Sequence, residues 1–221
     1  MVFNLPIALT WLRIVLIPVF VAVYYLPDSW LSPVAKNWTA MSVFAVAAIT
    51  DWLDGFLARR WHVEGAFGRV VDPFVDKVLV LGSFIFFAGK NFIIPESVTE
   101  PTSTPLVVKT LTGVAPGIVV ILLARELLVT TIRSLSERTG QSFGAAFSGK
   151  LKMVFQSITI LVILVYVNYR RRLIDGGYLE WATTLRDLCI WATVAITVIS
   201  GLMYLRRAPD LYRVGMDVSP K

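Results

Sequence analysis

Six apolar runs, each close to the length of one bilayer crossing, constrain this chain more than any other feature. They fall at about 7–25, 38–57, 70–88, 113–131, 151–167 and 188–205. A helix needs about 20 apolar residues to cross a hydrocarbon core of about 30 Å. Lipid offers the backbone no hydrogen-bond partner, so a spanning segment bonds internally, as a helix. The expected fold is therefore all-α and integral to a membrane, with six transmembrane helices and a polar cavity open to the cytoplasm. Hydrophobic residues make up 56% of the chain, above the roughly 45–50% of soluble domains. No Ser/Gly-rich linker divides it, so residues 1–221 read as one domain.

Charge sets the expected orientation. The chain has 21 Lys+Arg against 15 Asp+Glu, a formal net charge of +6. With the N-terminus in the cytoplasm, Lys36, Lys90, Lys109, Arg170, Arg171, Arg172 and Arg186 fall outside and the other basic residues fall inside, as the positive-inside rule prefers. The triplet Arg170–Arg172 runs against that rule; its long stems are expected to snorkel to the outer interface. No soluble basic domain is available for nucleic acid. The single cysteine, Cys189, rules out an internal disulfide. The N-terminus lacks a basic region followed by a small-residue cleavage site and reads as retained. The polar stretch 91–112 reads as an external loop with no chemistry of its own.

Four carboxylates stand out against this apolar background. Asp51 and Asp54 are spaced i, i+3, and Asp72 and Asp76 are spaced i, i+4. Each pair therefore shares a helix face, and the short link between the pairs lets the two helices pack antiparallel. Carboxylates in or near a membrane are costly unless paired or metal-bound, and four together repel without cations. Their hard oxygens suit Mg²⁺ or Mn²⁺, and no Cys or His cluster is present for zinc. Two cations bridged by carboxylates can hold a diphosphate and stabilise its displacement. Individual residues have plainer readings: Asp72 before Pro73 as a helix cap, Asp51 paired with Arg59 or Arg60, Gly55 as a packing glycine. His62 reads as an interfacial loop residue.

Read together, Asp51-x-x-Asp54-Gly55-x-x-Ala58-Arg59, eight residues, Gly68, three residues, Asp72, three residues, Asp76 resembles the full signature of the CDP-alcohol phosphotransferase family. The resemblance implies that Asp51, Asp54 and Asp72 ligate metal and that Asp76 is both ligand and the base that activates the incoming hydroxyl. It implies two Mg²⁺ or Mn²⁺ ions, and a CDP site lined by Gly55, Ala58, Arg59 and Gly68. Arg59 would lie on the diphosphate, where its fork matches phosphate oxygens better than a lysine does. Two-chain assembly, as a homodimer, is implied as well.

The likeness extends over most of the chain and is strongest to bacterial members that take glycerol 3-phosphate as acceptor. It is carried by Asn4, Pro6, Thr10 and Arg13, by Ala124-Arg125-Glu126 with Arg133, by Ser148-Gly149-Lys150-x-Lys152, and by the closing SGLMYLRRA. It implies CDP-diacylglycerol as donor and a bacterial cytoplasmic (inner) membrane location. Arg125 lies in an apolar helix and wants an anionic partner; with Arg133, Lys150 and Lys152 it forms a candidate site for the acceptor's phosphate. The plainer readings are a structural pair with another residue, Glu126 being adjacent, positive-inside anchoring by the two lysines and snorkelling of Arg133. Asn4 and Thr10 are candidates for the CDP site, with helix capping and interfacial anchoring as the alternative. Other acceptors remain open, namely an inositol phosphate, serine or phosphatidylglycerol. From another class altogether, a divalent-cation transporter remains open too.

Overall fold

A computed structural model of the chain describes residues 5–61, 66–92, 110–138 and 147–217. The side chains of 5–7, 10, 51, 52, 54–61, 66–73, 76, 90, 135–138, 147–151 and 207–217 lie outside the described residues. The described residues form six α-helices and no strand: α1 (Leu5–Tyr25), α2 (Pro33–Trp61), α3 (Ala66–Phe87), α4 (Pro116–Arg138), α5 (Phe147–Asp175) and α6 (Leu179–Asp217). A short 3₁₀ turn, Lys90–Phe92, follows α3. Two of the described segments are long and apolar enough to cross a membrane, Lys152–Asp175 in α5 and Leu179–Arg206 in α6.

Helix α1 lies against both α2 and α3, α5 packs along α6, and α4 packs on α6. An aromatic cluster closes one end of the bundle. Phe20, Phe44, Phe84, Phe87 and Phe92 are buried there, and Tyr24 meets Phe86 at 4.6 Å between ring centroids. The chain is held to this end after α3, where Thr112 Oγ1 donates to the Phe87 carbonyl at 2.7 Å.

Helix α6 shows how polarity is arranged. Thr193, Thr197, Ser200 and Tyr204 recur at helical spacing and are buried, while Leu188, Trp191, Ile199 and Leu202 on the other side are exposed. An apolar outer surface around a polar seam is the pattern expected of a helix facing lipid on one side and protein on the other.

The helices exceed the apolar runs at their ends. The stretch 168–187, which carries no apolar run, is helical on both sides of a tight turn. A run of hydrophobic residues ends where charges begin, but a helix ends where its carbonyls find other donors. Here Tyr178 N–H donates to the Leu173 carbonyl at 2.9 Å and Gly177 N–H to the Ile174 carbonyl at 3.1 Å. Gly177 has φ +72°. This is a Schellman stop, and its left-handed residue favours glycine.

Candidate active site

The carboxylate signature is divided between two helices. Asp51, Asp54, Gly55, Ala58 and Arg59 lie in the last turns of α2, and Gly68, Asp72 and Asp76 in the first half of α3. Their side chains lie outside the described residues, as do those of Thr10 and Lys150; Asn4 lies outside altogether. Helical register alone keeps each acidic pair on one face. The donor set is made only of carboxylate oxygens, which fits Mg²⁺ or Mn²⁺ and gives no preference to zinc.

The side chain after Asp76 is described, and it ties this turn to α4. Lys77 Nζ donates to Thr130 Oγ1 at 2.6 Å. Thr130 Oγ1 donates in turn to the Glu126 carbonyl at 2.7 Å. The α3 turn carrying Asp76 is thus registered against the α4 turn that begins at Glu126.

At that level α4 and α5 bring charge together inside the protein, against polar groups of α6. Arg125 and Glu126 on α4 and Lys152 on α5 are all buried. Arg125 Nη1 donates to Glu126 Oε1 at 2.9 Å, and Lys152 Nζ donates to the same oxygen. Arg125 Nη2 donates to Ser200 Oγ on α6 at 2.6 Å, and its guanidinium lies 5.8 Å from the centre of the Tyr204 ring. Gly201 allows this approach: a Cβ there would stand 3.1 Å from Arg125 Cγ. Arg125 and Lys152 thus share one carboxylate oxygen in a low-dielectric site, where charge acts strongly.

Deeper along the same seam, polar groups continue where apolar packing would be expected. Thr159 and Thr193 hydroxyls meet at 2.7 Å across α5 and α6. Between that layer and the charged one lie Gln156 and Thr197, both buried. Gln156 Nε2, Thr197 Oγ1 and Arg125 Nε have no hydrogen-bond partner. Unsatisfied buried donors are rare in proteins and ask for an explanation.

Of the four residues expected at the acceptor phosphate, the structure joins Arg125 and Lys152. Arg133 is exposed near the end of α4. Arg13 is buried on α1. Sequence reading treated Glu126 only as a neighbour of Arg125 and passed over Lys77, Gln156, Thr197 and Ser200. The available signal was spacing: Lys152, Gln156 and Thr159, like Thr193, Thr197 and Ser200, recur on one face of an otherwise apolar helix.

The sequence model of the CDP-alcohol phosphatidyltransferase family matches residues 3–199. A CDP-diacylglycerol–glycerol-3-phosphate 3-phosphatidyltransferase of Shigella flexneri serotype 5b is 33% identical over 210 residues, covering 94% of this chain and 96% of the relative. The protein of the same name in Escherichia coli K12 is 36% identical over 175 residues, covering 76% of this chain and 83% of the relative.

Proposed function

We infer the reaction from one premise: this chain belongs to the CDP-alcohol phosphatidyltransferase family. It is an enzyme that transfers the phosphatidyl group of CDP-diacylglycerol to sn-glycerol 3-phosphate, giving phosphatidylglycerophosphate and CMP. The name shared by its relatives supports the substrates. The observation that carries the acceptor assignment is the hydrogen bond from Lys77 to Thr130. It registers the turn of Asp76 about one helical turn, or roughly 5 Å of rise, from a buried cluster in which two cationic side chains share one carboxylate. A phosphorylated alcohol fits that spacing, with its hydroxyl at Asp76 and its phosphate toward Arg125 and Lys152. Arg133 and Lys150 would draw the anion in from the end of the bundle.

In this reading the acceptor's hydroxyl oxygen attacks the phosphorus that carries diacylglycerol. The bond from that phosphorus to the oxygen of CMP breaks, and CMP leaves with the electron pair. The hydroxyl proton passes to Asp76, since a positioned carboxylate is an effective base only within hydrogen-bond reach of the proton it takes. Asp51, Asp54, Asp72 and Asp76 would hold two Mg²⁺ or Mn²⁺ ions. When bound there, the metal supplies neutralisation of the diphosphate and of charge developing on the leaving group. Gly55, Ala58 and Gly68 would leave room for the nucleotide, Arg59 would fork onto the diphosphate, and Asn4 and Thr10 would serve the cytidine.

All six helices would cross the membrane of a bacterial cell, with the α2–α3 carboxylates at the cytoplasmic side. The apolar residues exposed on α4 and α6, such as Val120, Leu127, Leu188 and Trp191, would face lipid or a second copy in a homodimer. The test is CMP release by purified protein with CDP-diacylglycerol, divalent metal and glycerol 3-phosphate. Release should depend on the acceptor and vanish in Asp76→Asn. Release with serine or an inositol phosphate but not with glycerol 3-phosphate would retain the family and overturn the acceptor.

A further inference from the structure

The three arginines at the far end of α5 are not used by this chemistry. Lys152 lies beside the charged cluster, and Arg170 is 18 residues further along the same helix, or about 27 Å at 1.5 Å per residue. That is close to the thickness of a hydrocarbon core. Arg170–Arg172 therefore stand at the opposite end of the bundle from the carboxylate signature.

The other described basic residues at this end are neutralised. Lys36 pairs with Asp28 at 2.5 Å. Arg186 pairs with Asp187 at 2.7 Å and lies over the Tyr166 ring. The arginine triplet is different. Among the described residues none of the three has an ion-pair partner, although Asp175 and Glu180 lie at the same end. Arg170 Nε is buried without a hydrogen-bond partner. Arg171 and Arg172 are exposed, and Arg172 lies 5.6 Å from the Tyr169 ring.

Surrounding residues fix the level. Tyr169 packs on Trp38 of α2 at 5.3 Å between centroids. Tyr25, Trp30, Tyr178 and Trp181 are strongly exposed around the same end. Aromatic residues with a polar edge collect where headgroups meet hydrocarbon. Guanidinium groups at that depth, unpaired with any carboxylate among the described residues, match phosphate oxygens in charge and in fork geometry.

We propose that Arg170, Arg171 and Arg172 form a binding site for the headgroup phosphate of an anionic phospholipid, in the leaflet opposite the carboxylate signature. The stem of Arg170 packs against the bundle while Arg171 and Arg172 reach the headgroup region. The site rests on α5 and α6 crossing the membrane, and it does not depend on which alcohol the enzyme accepts.

The test is thermal unfolding of the purified chain in neutral detergent, titrated with short-chain phosphatidylglycerol, phosphatidylcholine or free glycerol phosphate. Phosphatidylglycerol should raise the unfolding midpoint saturably, and phosphatidylcholine should not. Each basic residue near a lipid surface contributes about 1 kcal/mol, so Arg171→Gln with Arg172→Gln should weaken half-saturation roughly thirtyfold. Both residues are exposed, so this variant keeps its fold, and its CMP release in neutral detergent should be unchanged. The triple variant with Arg170→Gln should lose the shift. Equal phosphatidylglycerol shifts in wild type and variants would overturn the site, as would the absence of any phosphatidylglycerol shift in wild type. A shift given by free glycerol phosphate and lost in the variants would mean a soluble-anion site and would overturn the lipid.

Discussion

Two arginines in this molecule are built into the same local arrangement, and they differ in one respect. Arg125 and Arg186 each bond the carboxylate that follows in sequence, Glu126 at 2.9 Å and Asp187 at 2.7 Å. Each lies near a tyrosine, Tyr204 at 5.8 Å and Tyr166 at 4.6 Å. Each abuts a glycine whose added Cβ would come within about 3 Å, Gly201 for Arg125 and Gly113 for Arg186. Arg186 is saturated: Nε and Nη2 bond Asp187 Oδ1, and Nη1 donates to the Leu111 carbonyl at 2.8 Å. Arg125 leaves Nε without a partner, and its carboxylate is shared with Lys152. One cluster closes a loop onto the bundle. The other leaves the Arg125 Nε donor open in a buried site on the helix that Lys77 ties to the turn of Asp76, and an open donor on a buried cation is what an anionic ligand can use.

The largest effect that separates them is expected from Glu126→Gln. It removes the carboxylate that Arg125 and Lys152 share, and breaking a buried pair this way costs about 3–5 kcal/mol. Thermal unfolding in detergent should show a marked loss, and KM for glycerol 3-phosphate should rise as the two cations separate. An unchanged melting temperature would mean that the carboxylate does not hold the cluster. Next comes the exchange of fork for point charge. Arg125→Lys keeps the charge but loses the paired bonds to Glu126 and Ser200; charge-assisted bonds contribute about 1.5–3 kcal/mol. KM for the acceptor should rise about tenfold or more. Arg186→Lys should lower stability and leave KM alone. Equal effects on KM would dissolve the distinction between the two clusters.

Sequence made one half of this comparison legible and hid the other. Asp51, Asp54, Asp72 and Asp76 announce themselves because carboxylates at helical spacing in apolar surroundings need a cause. All six helices were visible as apolar runs, because each carries a long stretch of hydrophobic residues between its polar ends. The ends of α5 and α6 were not, because Arg170–Arg172 and Arg186 break the run without breaking the helix. The Gly176-Gly177 pair was the usable stop signal. Glu126 is visible in the sequence only as the neighbour of Arg125; its sharing with Lys152, 26 residues away, depends on how α4 and α5 pack. The same holds for Lys77 and Thr130. Pairings across helices are set by tertiary contact and leave no local trace.

The glycines give a smaller contrast. Gly113 has φ +74°, and an added Cβ would come 2.8 Å from Arg186 Nε. Gly113→Ala should therefore cost about 1–2 kcal/mol from the left-handed backbone alone. Gly201 sits within α6 with ordinary helical backbone, where alanine is favoured over glycine by about 0.8–1.0 kcal/mol. That gain offsets the 3.1 Å approach to Arg125 Cγ. Gly201→Ala should thus be near neutral in unfolding but raise acceptor KM a few-fold, because Arg125 must shift. A stability loss in Gly201→Ala as large as in Gly113→Ala would mean that both sites serve packing alone.

The smallest effect is expected at the carboxylate of the saturated cluster. The Asp187 side chain is 46% exposed, so water and salt already screen its pair with Arg186. Such pairs contribute about 0–1 kcal/mol. In Asp187→Asn, Arg186 keeps the Leu111 carbonyl and the Tyr166 ring, and the amide oxygen still accepts from the guanidinium. Unfolding should shift by less than about 1 kcal/mol, with kcat and KM unchanged, and the residual difference should shrink as ionic strength rises. Glu126, with its side chain only 7% exposed, should show no such salt dependence, since screening does not reach a buried pair. If Asp187→Asn instead lowered activity, the loop held by Arg186 would have to communicate with the carboxylate signature at the other end of the bundle, and Arg186 could no longer be separated from the chemistry.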